Sequence, residues 1–201
     1  MNQSIRRAPG APIWCRVAVG FLMAWLQTSR ADDLVAKKFD QNIEGFSGGW
    51  GAERAYSWDP AIDGAGDAES GSLRADVDFS SGGDTTLQAG LQISDFAPYD
   101  KVRLDVYLDP DTKPNAKGDY GTISVRLRPV GWGWPGTEVP MGTLTKTGWT
   151  RFEKPLPASA TASVGVNIHW NSGLTGSQSL WIDNLVFVKA SAPPPPPALS
   201  L

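Results

Sequence analysis

The chain has 201 residues with 18 Lys and Arg, 21 Asp and Glu, one histidine and one cysteine, and its formal net charge is −3 at pH 7. A single cysteine excludes an intrachain disulfide and a metal site built from several thiolates. An acidic chain without a cluster of Lys and Arg also argues against nucleic acid or an anionic membrane as the main partner.

Residues 1–31 have the pattern of a signal peptide that is removed on export. A basic segment with Arg6, Arg7 and Arg16 precedes an apolar run of ten residues, 17–26. Small residues at positions 29 and 31 fit a cleavage site. The run is too short to cross a bilayer as a helix, which takes about 20 apolar residues. We therefore predict cleavage after residue 31 and a mature chain that is secreted or periplasmic and makes no further membrane contact.

The mature chain, 32–201, has 170 residues and no cysteine. It carries a formal charge of −7, because the signal takes four arginines and no acid with it. This length is enough for one domain with a full hydrophobic core. Residues 32–38 form an N-terminal lead before the first predicted element.

Residues 39–189 are divided into short runs in which apolar and polar side chains alternate, a period typical of half-buried strands. The clearest runs are 73–79, 102–108, 123–127 and 164–170, and further strands are predicted over 87–93, 150–156 and 179–188. No helical period of useful length is visible, and Gly, Pro, Asp and Asn separate the runs. We predict an all-β fold, an antiparallel β-sandwich or jelly roll, over 39–189.

Residues 190–201 (ASAPPPPPALSL) differ in composition from the predicted domain. Five consecutive prolines hold an extended polyproline II conformation and cannot join a sheet. The segment is therefore a linker or a tail, and a linker would connect this domain to a catalytic domain of a larger secreted protein.

No residue is predicted to be catalytic. Residues 45–49 match G-x-S-x-G, but a nucleophile elbow needs a strand before the serine and a helix after it, and no helical repeat follows. Asp105, Asp109 and Glu138 are interpreted as solvated carboxylates, because a glycosidase needs two carboxyls at a set separation that a sequence alone does not show.

The outward positions of the predicted strands carry more planar and bidentate hydrogen-bonding groups than an ordinary solvent face. Such groups suit rows of hydroxyls, which both donate and accept. The alternative is an ordinary polar sheet stabilised by cross-strand ion pairs. The candidate ligand-binding residues of this kind are Gln88, Gln92, Arg103, Asp105, Tyr107, Arg126, Arg128, Asn167 and His169.

Two tryptophans in the segment RPVGWGWPG, residues 128–136, are candidates for stacking against a sugar ring. If the strand period of 123–127 continues, Trp132 and Trp134 share a face with Arg126 and Arg128. The alternative is a bulge at Pro129 or Gly131 that shifts the period by one residue, so that one or both rings fill the end of the core.

Three further aromatic residues lie in a glycine-rich stretch and are second candidates for the rim of a ligand site: Trp50, Tyr56 and Trp58. The remaining tryptophans considered, Trp149, Trp170 and Trp181, lie within or beside apolar strand periods and are predicted to belong to the core.

Six motifs follow one another in a characteristic order across about 150 residues. They are Phe39-Asp40, Gly49-Trp50, Gly71-Ser72-Leu73, VRLDVYLDP (102–110), GWTRFEKPL (148–156) and LWIDNLVFV (180–188). In this order and spacing the chain resembles a secreted carbohydrate-binding module of the galactose-binding-like jelly-roll group. The motifs do not select one family within that group.

The resemblance implies a structural calcium ion. Modules of this group commonly bind it through the acid of the first strand and the aspartate of the closing I-D-N, which are Asp40 and Asp183 in this sequence. Calcium takes six to eight oxygen ligands, so the loop before the strand at 73–79 would complete the shell, with Asp67, Glu69 and Ser72 as candidates. No catalytic cofactor is implied.

Three functions are consistent with these features. The first is non-catalytic binding of a polysaccharide, of the neutral β-glucan or mannan type, by a monomeric accessory module of a secreted carbohydrate-active protein. The second is a glycoside hydrolase or polysaccharide lyase on the same fold. The third is a structural or adhesive extracellular domain that binds protein.

Overall fold

The computed structural model describes residues 33–64, 70–132 and 136–190, and these consist mainly of β-strands joined by turns. The strands are β1 (Leu34–Lys37), β2 (Glu53–Asp59), β3 (Ser72–Asp78), β4 (Asp84–Ile93), β5 (Tyr99–Leu108), β6 (Thr122–Arg128), β7 (Thr137–Thr143), β8 (Thr150–Pro155), β9 (Ser163–Asn171) and β10 (Ser177–Lys189), with short 3-10 turns at Phe79–Ser81 and Val130–Trp132. Within these ranges no helix is long and apolar enough to cross a membrane.

The strands form two antiparallel sheets. The larger sheet has the order β2-β3-β10-β5-β8, and β1 also pairs with β10. The smaller sheet has the order β4-β9-β6-β7. The sheets pack face to face around one apolar core, so the predicted all-β sandwich is confirmed.

The core consists of the inward-facing residues of both sheets, as the alternating pattern predicts. Burying these side chains supplies the main driving force for folding, at roughly 25 cal/mol per Å² of apolar surface. Trp170 is fully buried, and its indole N–H donates to the carbonyl of Tyr120 at 3.0 Å. The central inward residues are Leu73, Ala75, Val77, Leu104, Val106, Val125, Leu127, Val166, Ile168 and Trp170.

Three strands were not predicted from the sequence, and each has a weak pattern for a physical reason. β1 lies in the segment predicted to be a lead, and it pairs with β10 through Leu34 and Phe187. β2 and β7 are edge strands with few buried side chains, so their apolar alternation is weak. β7 also contains Pro140, at an irregularity in the pairing with β6.

Candidate functional site

The outer face of the smaller sheet collects hydrogen-bonding side chains from all four strands, because antiparallel pairing places outward positions opposite one another. We call this surface the polar floor. It consists of Gln88, Asn167, Arg126 and Glu138 in one row, Thr86, His169 and Ser124 in the next row, and Arg128 at one end. Five of the predicted ligand residues therefore lie together, namely Gln88, Arg126, Arg128, Asn167 and His169, while Gln92 is exposed at the end of β4.

An ion pair at the edge of the polar floor orients one of its arginines. The carboxylate of Glu138 accepts from Ser124 Oγ at 2.6 Å and from Arg126 Nη2 at 3.1 Å. Partial burial disfavours ionisation of Glu138, but the hydrogen bonds from Ser124 and Arg126 outweigh it and hold the pKa of Glu138 below its usual value. Glu138 is thus an ionised acceptor at neutral pH, and it balances the charge of Arg126.

His169 lies in the second row, and its Nε2 is 3.5 Å from the carboxylate of Asp84. Burial, followed by the positive charge of Arg126, lowers the pKa of His169 despite the nearby Asp84. The imidazole is therefore mainly neutral at pH 7 and offers one hydrogen-bond donor and one acceptor.

Trp50 stands over the polar floor with 43% of its surface exposed. The ring centroid is 5.3 Å from that of His169, at an interplanar angle of 33°, and the guanidinium carbon of Arg126 is 5.8 Å from the centroid. The indole thus packs against the floor on one side. Its exposed part is a platform on which the apolar face of a ligand ring could pack.

The loop that carries Trp50 is bonded along the edge of β4. The carbonyl of Trp50 accepts from Thr86 N at 2.9 Å, and Gly51 forms an isolated bridge with Thr85. Gly49 has φ +120°, and a Cβ there would lie 1.8 Å from the carbonyl oxygen of Thr86. Glycine is therefore required at this close approach, which brings the loop down onto the sheet.

Two buried polar atoms of the floor have no hydrogen-bond partner among the residues that the structure describes: Thr86 Oγ1 and Asn167 Oδ1. Thr86 is 0% exposed and Asn167 is 1% exposed. Leaving such an atom unsatisfied costs about 1–3 kcal/mol. Thr86 was missed from the sequence because the predicted strand began one residue later, at Leu87, although the outward period extends back to it.

Three other candidate ligand residues, Arg103, Asp105 and Tyr107, do not share this surface. All three lie on β5 of the larger sheet, and their side chains face the opposite side of the sandwich. Strand period distinguishes the inward from the outward side of a strand, but it does not show which sheet the strand joins.

The outward groups of the larger sheet are paired with one another. Asp105 accepts two hydrogen bonds from Arg151, at 2.8 and 2.7 Å. Arg103 donates two to Glu153, at 3.1 and 2.9 Å. This face matches the alternative interpretation, an ordinary polar sheet with cross-strand ion pairs.

An aromatic cluster also lies on the outer face of the larger sheet. Tyr107 packs between Trp149 and Trp181, with ring centroids 5.7 and 5.5 Å away. The indole of Trp181 donates to Asp59 at 2.8 Å, and Arg74 lies over its ring at 5.2 Å. Trp181 is buried, as predicted, but it lies on this outer face, whereas Trp170 lies in the core between the sheets.

Tyr56 and Trp58 do not lie in a loop, contrary to prediction, but in β2 with half-buried side chains on the core side. The hydroxyl of Tyr56 donates to the carbonyl of Gly48 at 2.7 Å. The indole of Trp58 donates to the carbonyl of Phe39 at 2.7 Å. Burial raises the pKa of Tyr56 despite the nearby Arg54. Both residues hold backbone of the β1–β2 segment, and Tyr56 supports the loop that carries Trp50.

The strand period that placed Trp132 and Trp134 beside the arginines does not continue. β6 ends at Arg128, and residues Val130–Trp132 form a 3-10 turn in which Gly131 has φ 81°. The basis of that placement was therefore wrong. The side chain of Trp132 and the whole of Trp134 lie outside the described residues.

The two aspartates that the resemblance assigns to calcium have different surroundings. Asp40 is half-buried, accepts from Ser70 Oγ at 3.2 Å and lies 3.7 Å from Lys38. Asp183 is fully buried and accepts from the backbone N–H groups of Gly64 at 3.0 Å and Asn184 at 2.7 Å.

The pKa of Asp183 is raised to about 7, mainly because the carboxyl is buried. The two backbone donors lower the pKa, and the carboxyl of Asp63, which is hydrogen-bonded to Asp183, raises it further. The buried carboxyl of Asp183 and the half-buried carboxyl of Asp63 supply the hard oxygen ligands that calcium prefers. Ser72 is also buried, and its hydroxyl donates to the carbonyl of Ile62. Asp67 and Glu69 lie outside the described residues, and within those residues no group of three or more His, Cys, Asp or Glu side chains could hold a metal.

No protein-family model matches the chain, and no curated protein matches it by sequence. Solved structures do match. The module CBM27-1 of Caldicellulosiruptor saccharolyticus, in complex with mannohexaose, is 17% identical, with 80% of this chain and 99% of that one covered and a TM-score of 0.54. The family 11 module of Clostridium thermocellum, in complex with a β-1,3-1,4-mixed-linked tetrasaccharide, is 11% identical, with 79% and 95% covered and a TM-score of 0.54.

The xylan-binding domain CBM22-1 of Paenibacillus barcinonensis is 12% identical, with 80% of this chain and 97% of that domain covered and a TM-score of 0.53. At identities this low, the structural matches show likeness of fold alone. The chain thus has the β-sandwich fold of carbohydrate-binding modules, as the resemblance implied, and the likeness does not assign it to one of their families.

Proposed function

We propose that this chain is a non-catalytic module that binds a polysaccharide on the polar floor beneath Trp50. The observation that carries the proposal is the half-exposed indole standing directly over rows of buried hydrogen-bonding groups. A pyranose has an apolar C–H face, which packs on an aromatic ring, and hydroxyls, which both donate and accept hydrogen bonds. The floor offers both kinds of partner at one place.

The charges of the floor beneath Trp50 favour a neutral glycan, while Arg128 adds a positive charge at one end of the floor. Glu138 balances Arg126, and the lowered pKa of His169 keeps the imidazole mainly neutral at pH 7. Two of the similar modules were solved with a mannohexaose and with a mixed-linked β-glucan tetrasaccharide. We accordingly propose the β-glucan or mannan type as the ligand class.

The described carboxyls give less support to a glycosidase or lyase. A glycosidase needs an acid with a raised pKa near a second carboxylate at the substrate. On the polar floor the pKa of Glu138 is lowered, whereas Asp183, whose pKa is raised, is fully buried in the other sheet. The third candidate, an adhesive domain, has no specific contact in its favour.

We also propose that Asp183, with Asp63 beside it, binds a structural calcium ion. When bound, calcium would supply the positive charge that favours ionised carboxylates at this buried position. The carboxyl of Asp183 itself accepts hydrogen bonds from the backbone N–H groups of Gly64 and Asn184. Asp40 remains the second ligand that the resemblance implies.

The location and context of the module follow from its two terminal segments. The signal-like residues 1–31 support a secreted or periplasmic module, and the proline-rich residues 190–201 support linkage to a catalytic domain. We expect the module itself to be monomeric.

Affinity electrophoresis in gels that contain soluble mixed-linkage β-glucan, glucomannan or xylan tests the binding function. Retardation of the wild type by at least one glycan is expected, and Trp50→Ala should weaken the affinity about 10- to 30-fold. Trp149→Ala is the matched control, because it removes a half-buried tryptophan from the opposite sheet. Equal retardation of both variants would contradict the placement of the site, and release of reducing sugar or unsaturated product would favour the enzyme.

A further inference from the structure

Two adjacent threonines of β4 are equally buried but differ in their hydrogen bonding. Thr85 and Thr86 are both 0% exposed, and they face opposite sides of the strand. Thr85 Oγ1 donates to the carbonyl of Ala52 at 3.1 Å. Thr86 Oγ1 has no partner within the described ranges. A buried hydroxyl without a partner is costly, so its retention needs an explanation.

The loop that carries Trp50 covers Thr86. Thr86 N donates to the carbonyl of Trp50 at 2.9 Å, and Thr86 lies directly opposite His169 in the pairing of β4 with β9. The Trp50 ring packs on that same histidine. The hydroxyl of Thr86 is therefore close beneath the indole and its loop.

Asn167 occupies an equivalent position beside the same ring. It lies two residues from His169 on β9 and directly opposite Arg126 on β6. The Trp50 ring contacts both of those neighbours. Asn167 Oδ1 is buried and has no hydrogen-bond partner among the described residues. The two unsatisfied oxygens thus lie on the same face, in adjacent rows, and each belongs to a residue paired with one that the Trp50 ring contacts.

We propose that Thr86 and Asn167 form a subsite for sugar hydroxyls that the Trp50 ring closes in the free protein and uncovers when a glycan binds. The subsite rests on the proposed function and deepens it, by naming the atoms that recognise the ligand. A hydroxyl can donate to Asn167 Oδ1, and another can accept from or donate to Thr86 Oγ1. Neither residue is charged, so the subsite suits a neutral pyranose and offers nothing to pair with a carboxylate. The displaced indole then packs on the C–H face of the same sugar.

The threonine pair supplies a matched test, because the two substitutions should change the melting temperature in opposite directions. Thr86→Val replaces the unsatisfied hydroxyl by a methyl group of similar size, so the melting temperature should rise by about 2–4 °C. The same change should weaken binding of a mixed-linkage or manno-oligosaccharide about 5- to 10-fold, measured by calorimetry. Thr85→Val breaks a satisfied hydrogen bond on the core side, so it should lower the melting temperature and leave the affinity within about twofold.

A double-mutant cycle tests whether Trp50 is the cover. In Trp50→Ala, water can reach Thr86 Oγ1, so adding Thr86→Val should no longer raise the melting temperature. An equal gain in both backgrounds would show that the ring does not cover the hydroxyl and would overturn the proposal. Asn167→Leu, a second variant of similar shape, should also bind the oligosaccharide about 5-fold more weakly.

The outcomes separate the subsite from the function on which it rests. If the wild type binds no glycan of the panel, the proposed function fails. If the wild type binds but Thr86→Val binds equally tightly, the subsite alone fails and the binding function stands. A higher melting temperature together with weaker binding in Thr86→Val is the result that supports both.

Discussion

On the outer face of the larger sheet, Asp105 is buried and accepts two hydrogen bonds from Arg151. On the outer face of the smaller sheet, Thr86 Oγ1 and Asn167 Oδ1 are equally buried, and neither has a partner within the described part of the chain. Both faces present outward-facing residues of alternating strands. The difference lies in whether the neighbouring strand supplies the complementary group.

Under the proposed function, the two faces of the sandwich serve different purposes. Cross-strand pairs such as Arg103 with Glu153 satisfy each other and contribute to the stability of the larger sheet. Unsatisfied groups on the smaller sheet lower its stability, and a ligand that supplies the missing hydrogen bonds recovers that cost. Changes on the larger sheet should therefore alter stability, and changes on the smaller sheet should alter affinity.

The largest effect expected on the larger sheet is a pH dependence caused by Asp183. The pKa of this carboxyl is raised in the folded protein to about 7, above its ordinary value of 3.8, so the folded state binds more protons between these values. Its contribution to the free energy of unfolding is therefore lost as the pH rises from about 4 to 7, on the order of 2–4 kcal/mol.

Denaturant titrations of the wild type and Asp183→Asn in a chelator, at pH 4.5 and 7.5, measure this effect. The wild type should lose stability across the interval relative to the variant. Added calcium should reverse the loss at pH 7.5, because the ion binds the ionised carboxylate. Parallel pH profiles of the two proteins would contradict the raised pKa.

Asp105→Asn should lower the free energy of unfolding by about 2 kcal/mol, because the buried position loses its charge-assisted hydrogen bonds while the more exposed Arg151 can be hydrated. Arg103→Gln is the control from the same strand, and its loss should cost less than about 1 kcal/mol, because the carboxylate of its partner Glu153 is more exposed than that of Asp105. Glycan affinity should be unchanged in both, so a clear loss of binding in Asp105→Asn would break the division between the faces.

The smallest effect is expected from a pair of glutamates, one on each face. Glu138→Gln should weaken glycan binding about 3- to 5-fold, because Arg126 loses the carboxylate that orients it. Glu153→Gln also removes a partner of an arginine, Arg103, but on the larger sheet. Calorimetry should show unchanged affinity for Glu153→Gln, and equal losses in both variants would argue against the site.

Much of the fold was predictable because alternation in strands such as β5 and β9 reflects direct contact with the core. Of the three strands that escaped prediction, β2 and β7 lie at sheet edges and have few buried side chains, so their apolar period is weak. The period also failed beyond Arg128, where Gly131 enters a left-handed conformation that ends the strand geometry.

The candidate site was predicted only in part, for a related reason. The outward period selected Asn167 and His169, which lie on the polar floor, and also Tyr107, which lies on the larger sheet, because a period cannot show which sheet a strand joins. The place of Trp50 in the candidate site depends on its contact with Arg126, which lies far away in sequence. Such pairings arise from the register of whole strands and are not visible in any short segment.

The central claim is that glycan binds the outer face of the smaller sheet, and a titration followed by ¹H–¹⁵N correlation spectra tests it most directly. On addition of a mixed-linkage β-gluco- or manno-oligosaccharide, the amide signals of Thr86, Asn167 and His169 and the indole signal of Trp50 should shift together with one affinity. The signals of Arg103, Asp105 and Tyr107 should remain in place. Shifts confined to those three residues of the larger sheet would contradict the claim.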